Sequence, residues 1–159
     1  MDAKFIAPFM SSTQNVFSTM LQLPVEIGEP HVKDTQKPSF DVSGIIGVSG
    51  DMVGSIVLSF PRQTAERVVA LFTGAEFEYG GEDFADAVGE LVNMISGGAK
   101  AGLAGINASI SCPSVVVGEG HSVSLRSDAP CIAIPFNTDC GEFVLEVALA
   151  ECSESAAAA

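Results

Sequence analysis

Basic residues are scarce in this sequence. Only 7 Lys and Arg stand against 20 Asp and Glu, which gives a formal net charge of −13. Such a surface repels phosphate backbones and anionic lipid head groups, so nucleic acid and membrane surfaces are poor candidate partners. The plainest interpretation of the charge is a well-solvated surface, although it also suits a partner with a basic patch.

Long apolar runs and cysteine motifs are also absent. No apolar run approaches the roughly 18 residues that a membrane-spanning helix needs. The N-terminus, MDAKFIAPFM, has no sustained apolar stretch, so it predicts no signal peptide. Cys112, Cys131, Cys140 and Cys152 form no CxxC pair and suit neither a zinc site nor a disulfide framework. We therefore expect reduced cysteines and a cytoplasmic location.

Residues for self-contained hydrolytic chemistry are few. His31 lies in a Pro-rich segment and His121 in a Gly-rich turn, and both are expected to be surface loop residues. Neither belongs to a GxSxG or an HExxH motif. Because the many carboxylates have no His or Cys cluster beside them, no metal site and no resident cofactor are predicted. The protein is therefore expected to act on a molecule that it meets.

What the sequence does contain is apolar material, at 47% of 159 residues. This predicts one domain over residues 1–152, followed by a disordered tail at 153–159. Apolar spacing predicts helices at 4–21, 61–73 and 84–103, with Pro8 tolerable only in the first turn. Strands are predicted at 25–27, in a hairpin over 40–60, and at 114–118, 122–126, 131–136 and 142–150.

Three helices and about six mostly antiparallel strands indicate an α+β layer fold. Regular βαβ crossovers are missing, which argues against a doubly wound parallel sheet. The chain also divides into two weakly similar halves, each a helix followed by strands. Laying Asn15 over Asn93 then predicts a weak internal two-fold repeat.

The predicted third helix carries a polar stripe. At 100° per residue, the stripe holds Asp86, Glu90, Asn93, Gly97 and Lys100. Its expected small-residue border consists of Ala85, Gly89 and Ser96, which would let another surface approach closely. On the opposite, buried side, the glycines Gly98 and Gly102 are expected to let a neighbouring element approach. Composition alone favours the plainer interpretation, that Glu90 and Asn93 are ordinary solvated helix residues.

The segment DAVGELVNMISGGAKAGL, followed by ISCPSVVVG, resembles the signature of the CheC/CheX/FliY family of chemotaxis phosphatases. That signature is an Asp or Ser, then a Glu, then an Asn, and a Pro further along. Asp86, Glu90 and Asn93 match in type and spacing, and Pro113 is the counterpart of the Pro, slightly early. The block IIGVSGDMVGSIVLSFPRQTAERVVALFTG is similar to the family's hairpin and helix. A single ExxN copy is most similar to CheX-type members.

The resemblance implies a CheC-like fold and a homodimer joined through edge strands. It also implies hydrolysis of the phosphoaspartate of a CheY-like receiver domain, whose Mg²⁺ belongs to the receiver. Asn93 would position the attacking water, and Glu90 would pair with a Lys of the receiver. The residues implied to line the contact are Asp86, Gly89, Gly97, Lys100 and Pro113. The alternative is a non-catalytic domain that docks through the same helix on a receiver or a flagellar-switch protein.

Overall fold

The computed structural model describes residues 3–34, 39–124 and 129–152. In these ranges the α+β prediction is confirmed, with three helices and eight strands in one antiparallel sheet. The elements are α1 (Ala3–Leu21), β1 (Glu26–Ile27), β2 (His31–Val32), β3 (Val42–Gly50), β4 (Met52–Phe60), α2 (Arg62–Thr73), α3 (Glu82–Ala101), β5 (Ala108–Ile110), β6 (Ser114–Val117), β7 (Ile132–Thr138) and β8 (Gly141–Glu151).

The sheet runs in the order β1-β7-β8-β4-β3-β5, with β2 added to β7 and β6 added to β3. Strands β7, β8, β4 and β3 form its long centre, and short strands form both edges. Eight strands replace the predicted six or so, because strands of two or three residues leave no alternation to detect. The predicted pairing of two subunits through edge strands stays a prediction.

The predicted hairpin is confirmed as β3 and β4, in which Val48 pairs with Gly54. At its tip Gly50 has a φ of +103°, a conformation that residues with a Cβ rarely adopt. The following residue, Asp51, donates its N–H to the Asn107 carbonyl at 2.9 Å. Its carboxylate accepts the Asn107 N–H at 2.8 Å. The tip is therefore tied to the loop that follows α3.

The helices cover one face of the sheet and form the core with it. Phe143 of β8 stacks on Phe17 of α1 at 4.8 Å and on Phe136 of β7 at 4.9 Å between ring centroids. In α3 the core-facing side chains are Phe84, Val88, Leu91, Val92, Ile95 and Ala99. Helix α3 packs against α1, α2 and β3, so its orientation is fixed from several sides.

Three details of the predicted elements are wrong. Helix α1 already includes Ala3, so Pro8 lies in its second turn rather than its first. Helix α3 spans Glu82–Ala101 rather than 84–103, because the last turn loosens around Gly102. Residues 122–124 of the predicted strand at 122–126 are not strand, and the rest lies outside the described residues. The predicted tail at 153–159 lies outside them as well.

Contacts on the face of the sheet away from the helices explain why residues 122–124 form no strand. His121 is half-buried there, which corrects its expected place in a free surface loop. Its Nδ1–H donates to the Gly118 carbonyl at 2.6 Å, since a carbonyl can only accept. Its Nε2 lies 2.8 Å from the hydroxyl of buried Ser43. Side-chain bonds thus hold this segment on the sheet in place of a ladder. His31 is exposed, as predicted, but it lies in strand β2 rather than in a loop.

Cys112, Cys131 and Cys140 are free thiols, as predicted. Burial, and then the nearby Glu146 carboxylate, raise the pKa of Cys131 to about 11, so its thiolate is disfavoured at neutral pH. Among the described helices, none combines the length and apolar character needed to cross a bilayer. In the same residues, no group of three His, Cys, Asp or Glu side chains could hold a metal ion.

Candidate functional site

Helix α3 carries all the predicted site residues except Pro113, and its ends suit a stable helix. Glu82 and Asp83 occupy the first turn and Lys100 the last. Acids near the N-terminus and a base near the C-terminus both interact favourably with the helix dipole. The polar stripe from Asp86 to Lys100 therefore lies on one continuous helix.

The outer face of α3 places the polar stripe in solvent. Asp86, Glu90 and Lys100 are exposed, and Asn93 is half-buried. In the part of the chain that the structure describes, their side chains make no hydrogen bond or ion pair. Gly97 adds open space, because a Cβ built there meets nothing within 4 Å. We call this face the ridge, meaning Asp86, Glu90, Asn93, Gly97 and Lys100.

One flank of the ridge is closed by the segment before β6. A Cβ built on Gly89 would lie 3.3 Å from Cγ of Pro113 and 3.6 Å from Cγ2 of Val115. Gly89 is consequently buried, and Ser96, about two helical turns further on, is buried too. The expectation of an open border at Gly89 and Ser96 is therefore wrong, because both residues are buried and the chain's own Pro113 covers Gly89. Ala85 is half-buried, and Pro113 itself is exposed beside the ridge.

The other flank is closed by α1. Ser12 of α1 donates its hydroxyl to the Ile95 carbonyl at 2.7 Å. A Cβ on Gly98 would collide with the Ser12 hydroxyl, and one on Gly102 would lie 3.1 Å from Cβ of Pro8. The expected close approach at Gly98 and Gly102 is confirmed, and the neighbour is α1. Their expected burial is wrong, because both glycines are exposed and lie at the edge of this contact.

Sequence reasoning missed two serines in the packing of α3. Ser12 bonds the Ile95 carbonyl, two residues beyond Asn93, and so supports the ridge from below. Ser96 is 1% exposed, and its hydroxyl has no hydrogen-bond partner among the described residues. The sequence around a serine in an amphipathic helix does not show whether its hydroxyl will bond a neighbouring helix or be buried without a partner. The Ser12 contact becomes visible only when α1 and α3 are paired.

The ridge offers a carboxylate and a carboxamide about one turn apart, separated by roughly 4.5 Å along the helix axis. A carboxylate can pair with an ammonium group, and an amide can both donate and accept a hydrogen bond to water. Neither group is a strong nucleophile. The arrangement can therefore position groups supplied by another molecule, but it contains no complete catalytic centre of its own.

Comparison with known proteins places the chain among chemotaxis proteins. The family model described as chemotaxis phosphatase CheX matches residues 42–137. That range includes β3, β4, α2 and all of α3, and hence the whole ridge.

Individual relatives extend the match over most of the chain. The CheY-P phosphatase CheX of Thermotoga maritima is 27% identical over 140 residues, covering 86% of this chain and 89% of the relative. The crystal structure of chemotaxis protein CheX from Desulfovibrio desulfuricans is 39% identical, with a TM-score of 0.85, covering 94% of this chain and 99% of that one. A CheX–CheY–BeF3–Mg²⁺ complex from Borrelia burgdorferi has a TM-score of 0.77 and 26% identity, covering 92% and 98%.

Proposed function

The chain belongs to the chemotaxis phosphatase CheX family, and from this premise we propose that it hydrolyses the phosphoaspartate of a CheY-like receiver domain. The relative from Thermotoga maritima is named a CheY-P phosphatase. The relative from Borrelia burgdorferi was crystallised with CheY and Mg²⁺. In the proposed reaction the chain supplies the ridge, and the receiver supplies the phosphoryl group, the metal ion and a Lys.

The observation that carries the proposal is that the side chains of Glu90 and Asn93 are accessible and make no hydrogen bond with another described residue. A helix residue that only solubilises the surface would need no particular neighbours. Here Gly97 keeps the adjacent turn bare, so a second molecule can come close to the Asn93 amide. Glu90 is exposed one turn before Asn93, so it can pair with an ammonium group in the same approach.

The chemistry requires little from the protein. Water attacks phosphorus, the bond between phosphorus and the aspartyl oxygen breaks, and the aspartate carboxylate leaves while the water proton goes to the phosphate product. A carboxylate is a good leaving group, and the bound Mg²⁺ neutralises charge on the transferred phosphoryl. A hundredfold acceleration needs only about 2.7 kcal/mol. Orientation of a reactant can supply roughly 7–11 kcal/mol, so Asn93 can act by holding water in line.

The decisive experiment measures the lifetime of a phosphorylated receiver. Candidate receivers from the same genome are phosphorylated with a small acyl phosphate, and label loss is timed with catalytic amounts of this protein. Asn93→Ala should reduce the acceleration by about a hundredfold while leaving affinity almost unchanged, since only the water loses its partner. Glu90→Ala should reduce both, because it removes the pair that sets the register.

Asn15→Ala is the matched control, because Asn15 is an exposed Asn on α1. It should behave as the unaltered protein. If the unaltered protein binds a phosphorylated receiver without shortening its lifetime, the non-catalytic docking alternative replaces the proposal. If Asn93→Ala keeps full activity, the ridge is not the site of hydrolysis.

A further inference from the structure

A cavity of about 500 Å³ lies away from the ridge, between the segment around β2 and strands β7 and β8. It reaches the face of the sheet that the helices do not cover. On β8, Glu146 points to that face, while its neighbours Leu145 and Val147 belong to the core under the helices. No residue of α3 lines the cavity, so it is separate from the proposed phosphatase site.

Glu146 is the unusual group in this cavity. It lies in a central strand and is only 2% exposed. Its Oε1 lies 2.8 Å from the Lys33 ammonium, but its Oε2 is buried without a hydrogen-bond partner among the described residues. An ionised carboxylate has about four acceptor positions, and a buried one normally has most of them filled. The Oε2 atom of this carboxylate can therefore accept a hydrogen bond from a donor on another molecule.

The walls of the cavity indicate which donor would fit. Val32 is 64% exposed, more than any other large hydrophobic side chain in the described residues, and Phe40 and Val144 are only partly covered. Among the charged lining residues that the structure describes, Lys33, Glu142 and Glu146 together carry an excess of one negative charge. The cavity thus combines an acidic floor with an apolar wall.

We propose that this cavity binds a small organic cation, an ammonium or guanidinium group on a short apolar chain. The nitrogen donates to Oε2 of Glu146, and the chain covers Val32. An ion pair that served only to fix the β2 segment would explain Lys33, but it would explain neither the unpartnered Oε2 nor the bare valine. Because Oε2 is closed to solvent, binding requires a shift of the side chains around Glu146, to which Lys33 is bonded. Backbone amides of residues 31–34 should report that shift.

The test uses butylammonium as the probe and 1-butanol as its neutral counterpart. Amide chemical shifts of the full chain are followed by NMR during titration, and heats are measured by calorimetry. Butylammonium should saturate with a Kd of about 1 mM, reasonable for so small a ligand. Its shifts should concentrate at 31–34 and 144–146. The alcohol should bind about tenfold more weakly, because it cannot supply the charge.

Two variants with matched controls distinguish the contribution of the Glu146 charge to binding from that of the apolar wall. Glu146→Gln should weaken butylammonium about tenfold, whereas the same substitution at Glu151, exposed at the end of β8 and outside this cavity, should not. Val32→Asn lies at an exposed position that does not threaten folding, and it should weaken binding about threefold. Val116→Asn, exposed on β6 and away from the cavity, should leave it unchanged.

The proposal is overturned if butylammonium gives no saturable shifts, or if butanol binds equally well. It is also overturned if Glu146→Gln folds and binds the cation with unchanged affinity. Shifts at 31–34 that follow protein concentration, with no response to either probe, would assign the cavity to a contact between two copies of the chain instead.

Discussion

Gly97 and Gly98 are neighbours on α3, yet they have opposite surroundings. A Cβ on Gly97 would meet nothing within 4 Å, whereas one on Gly98 would collide with the Ser12 hydroxyl of α1. The first glycine lies on the ridge, and the second lies where α1 presses closest. Both cost the helix about 1 kcal/mol relative to Ala. At Gly98 the close packing of α1 offsets this cost, because a larger residue would prevent the contact. At Gly97 no contact within the described chain offsets it.

The difference between the two glycines extends to the whole helix. On its flanks, Pro113 covers Gly89 and Ser12 bonds the Ile95 carbonyl, so the small residues there serve the chain's own packing. On the ridge, the side chains of Glu90 and Asn93 make no hydrogen bond or ion pair with the described residues, and a Cβ on Gly97 would meet nothing within 4 Å. Residues that internal packing leaves unexplained are the best candidates for contact with another molecule.

The largest effect is expected from reversing the charge at Glu90. Glu90→Lys would place two ammonium groups together where the proposal pairs an ammonium with a carboxylate. Receiver binding should weaken by about a hundredfold, measured by calorimetry with a phosphorylated receiver. Glu29→Lys, at an exposed loop position, makes the same change in net charge and should have little effect. Equal losses in both variants would assign the effect to overall charge and remove the distinction between ridge and surface.

Gly98→Ala should lower the free energy of unfolding in urea by up to about 2 kcal/mol. Overpacking costs roughly 1–3 kcal/mol, and the better helix propensity of Ala returns about 1 kcal/mol of it. Adding Ser12→Ala removes the hydroxyl that the new methyl group meets, so the double variant should recover part of the loss. Unchanged stability in Gly98→Ala would mean that α1 and α3 can separate freely.

Gly97→Ala should do the reverse, raising the free energy of unfolding by about 1 kcal/mol, because its methyl group enters open space. If the ridge meets the receiver closely, the same variant should weaken binding several-fold despite being more stable. A more stable variant with unaltered receiver affinity would show that the bare turn at Gly97 is not used.

The smallest effects distinguish the two serines. Ser96→Ala removes a buried hydroxyl that has no described partner, so stability should rise slightly, by less than about 1 kcal/mol. Ser12→Ala removes a hydroxyl that bonds the Ile95 carbonyl, so stability should fall by about 1 kcal/mol. Urea titrations of the two variants side by side check the signs. Equal signs would contradict the assigned partners.

Periodicity was sufficient for the long elements. The hairpin of β3 and β4, the three helices and β8 each extend over enough residues for their patterns to repeat. The predicted strand failed at residues 122–124, because alternation cannot reveal that the neighbouring His121 would bond the Ser43 hydroxyl. Pro8 in the second turn of α1 was missed because the packing of α1 on α3 outweighs one lost backbone bond.

For the candidate site, helical geometry correctly grouped Asp86, Glu90 and Asn93 on one exposed face. It could not show that Gly89 would be covered, since Pro113 is remote in sequence and meets it only when β6 joins β3. Likewise, a helical wheel identifies Gly98 as small but cannot name Ser12 as the reason. The neighbours of a residue in the folded chain include residues remote in sequence, and the spacing of nearby residues does not reveal them.

Because Pro113 and Ser12 hold α3 from both sides, the backbone beneath Asn93 has little freedom left to lose. An association through this helix would restrict mainly the rotamers of a few protruding side chains, at roughly 0.5–1.5 kcal/mol each. A mobile loop with the same residues would also have to surrender backbone entropy, at about 1–2 kcal/mol per residue. Brief, repeated encounters with a partner are thermodynamically easier for such a stiffened surface than for a segment that folds on contact.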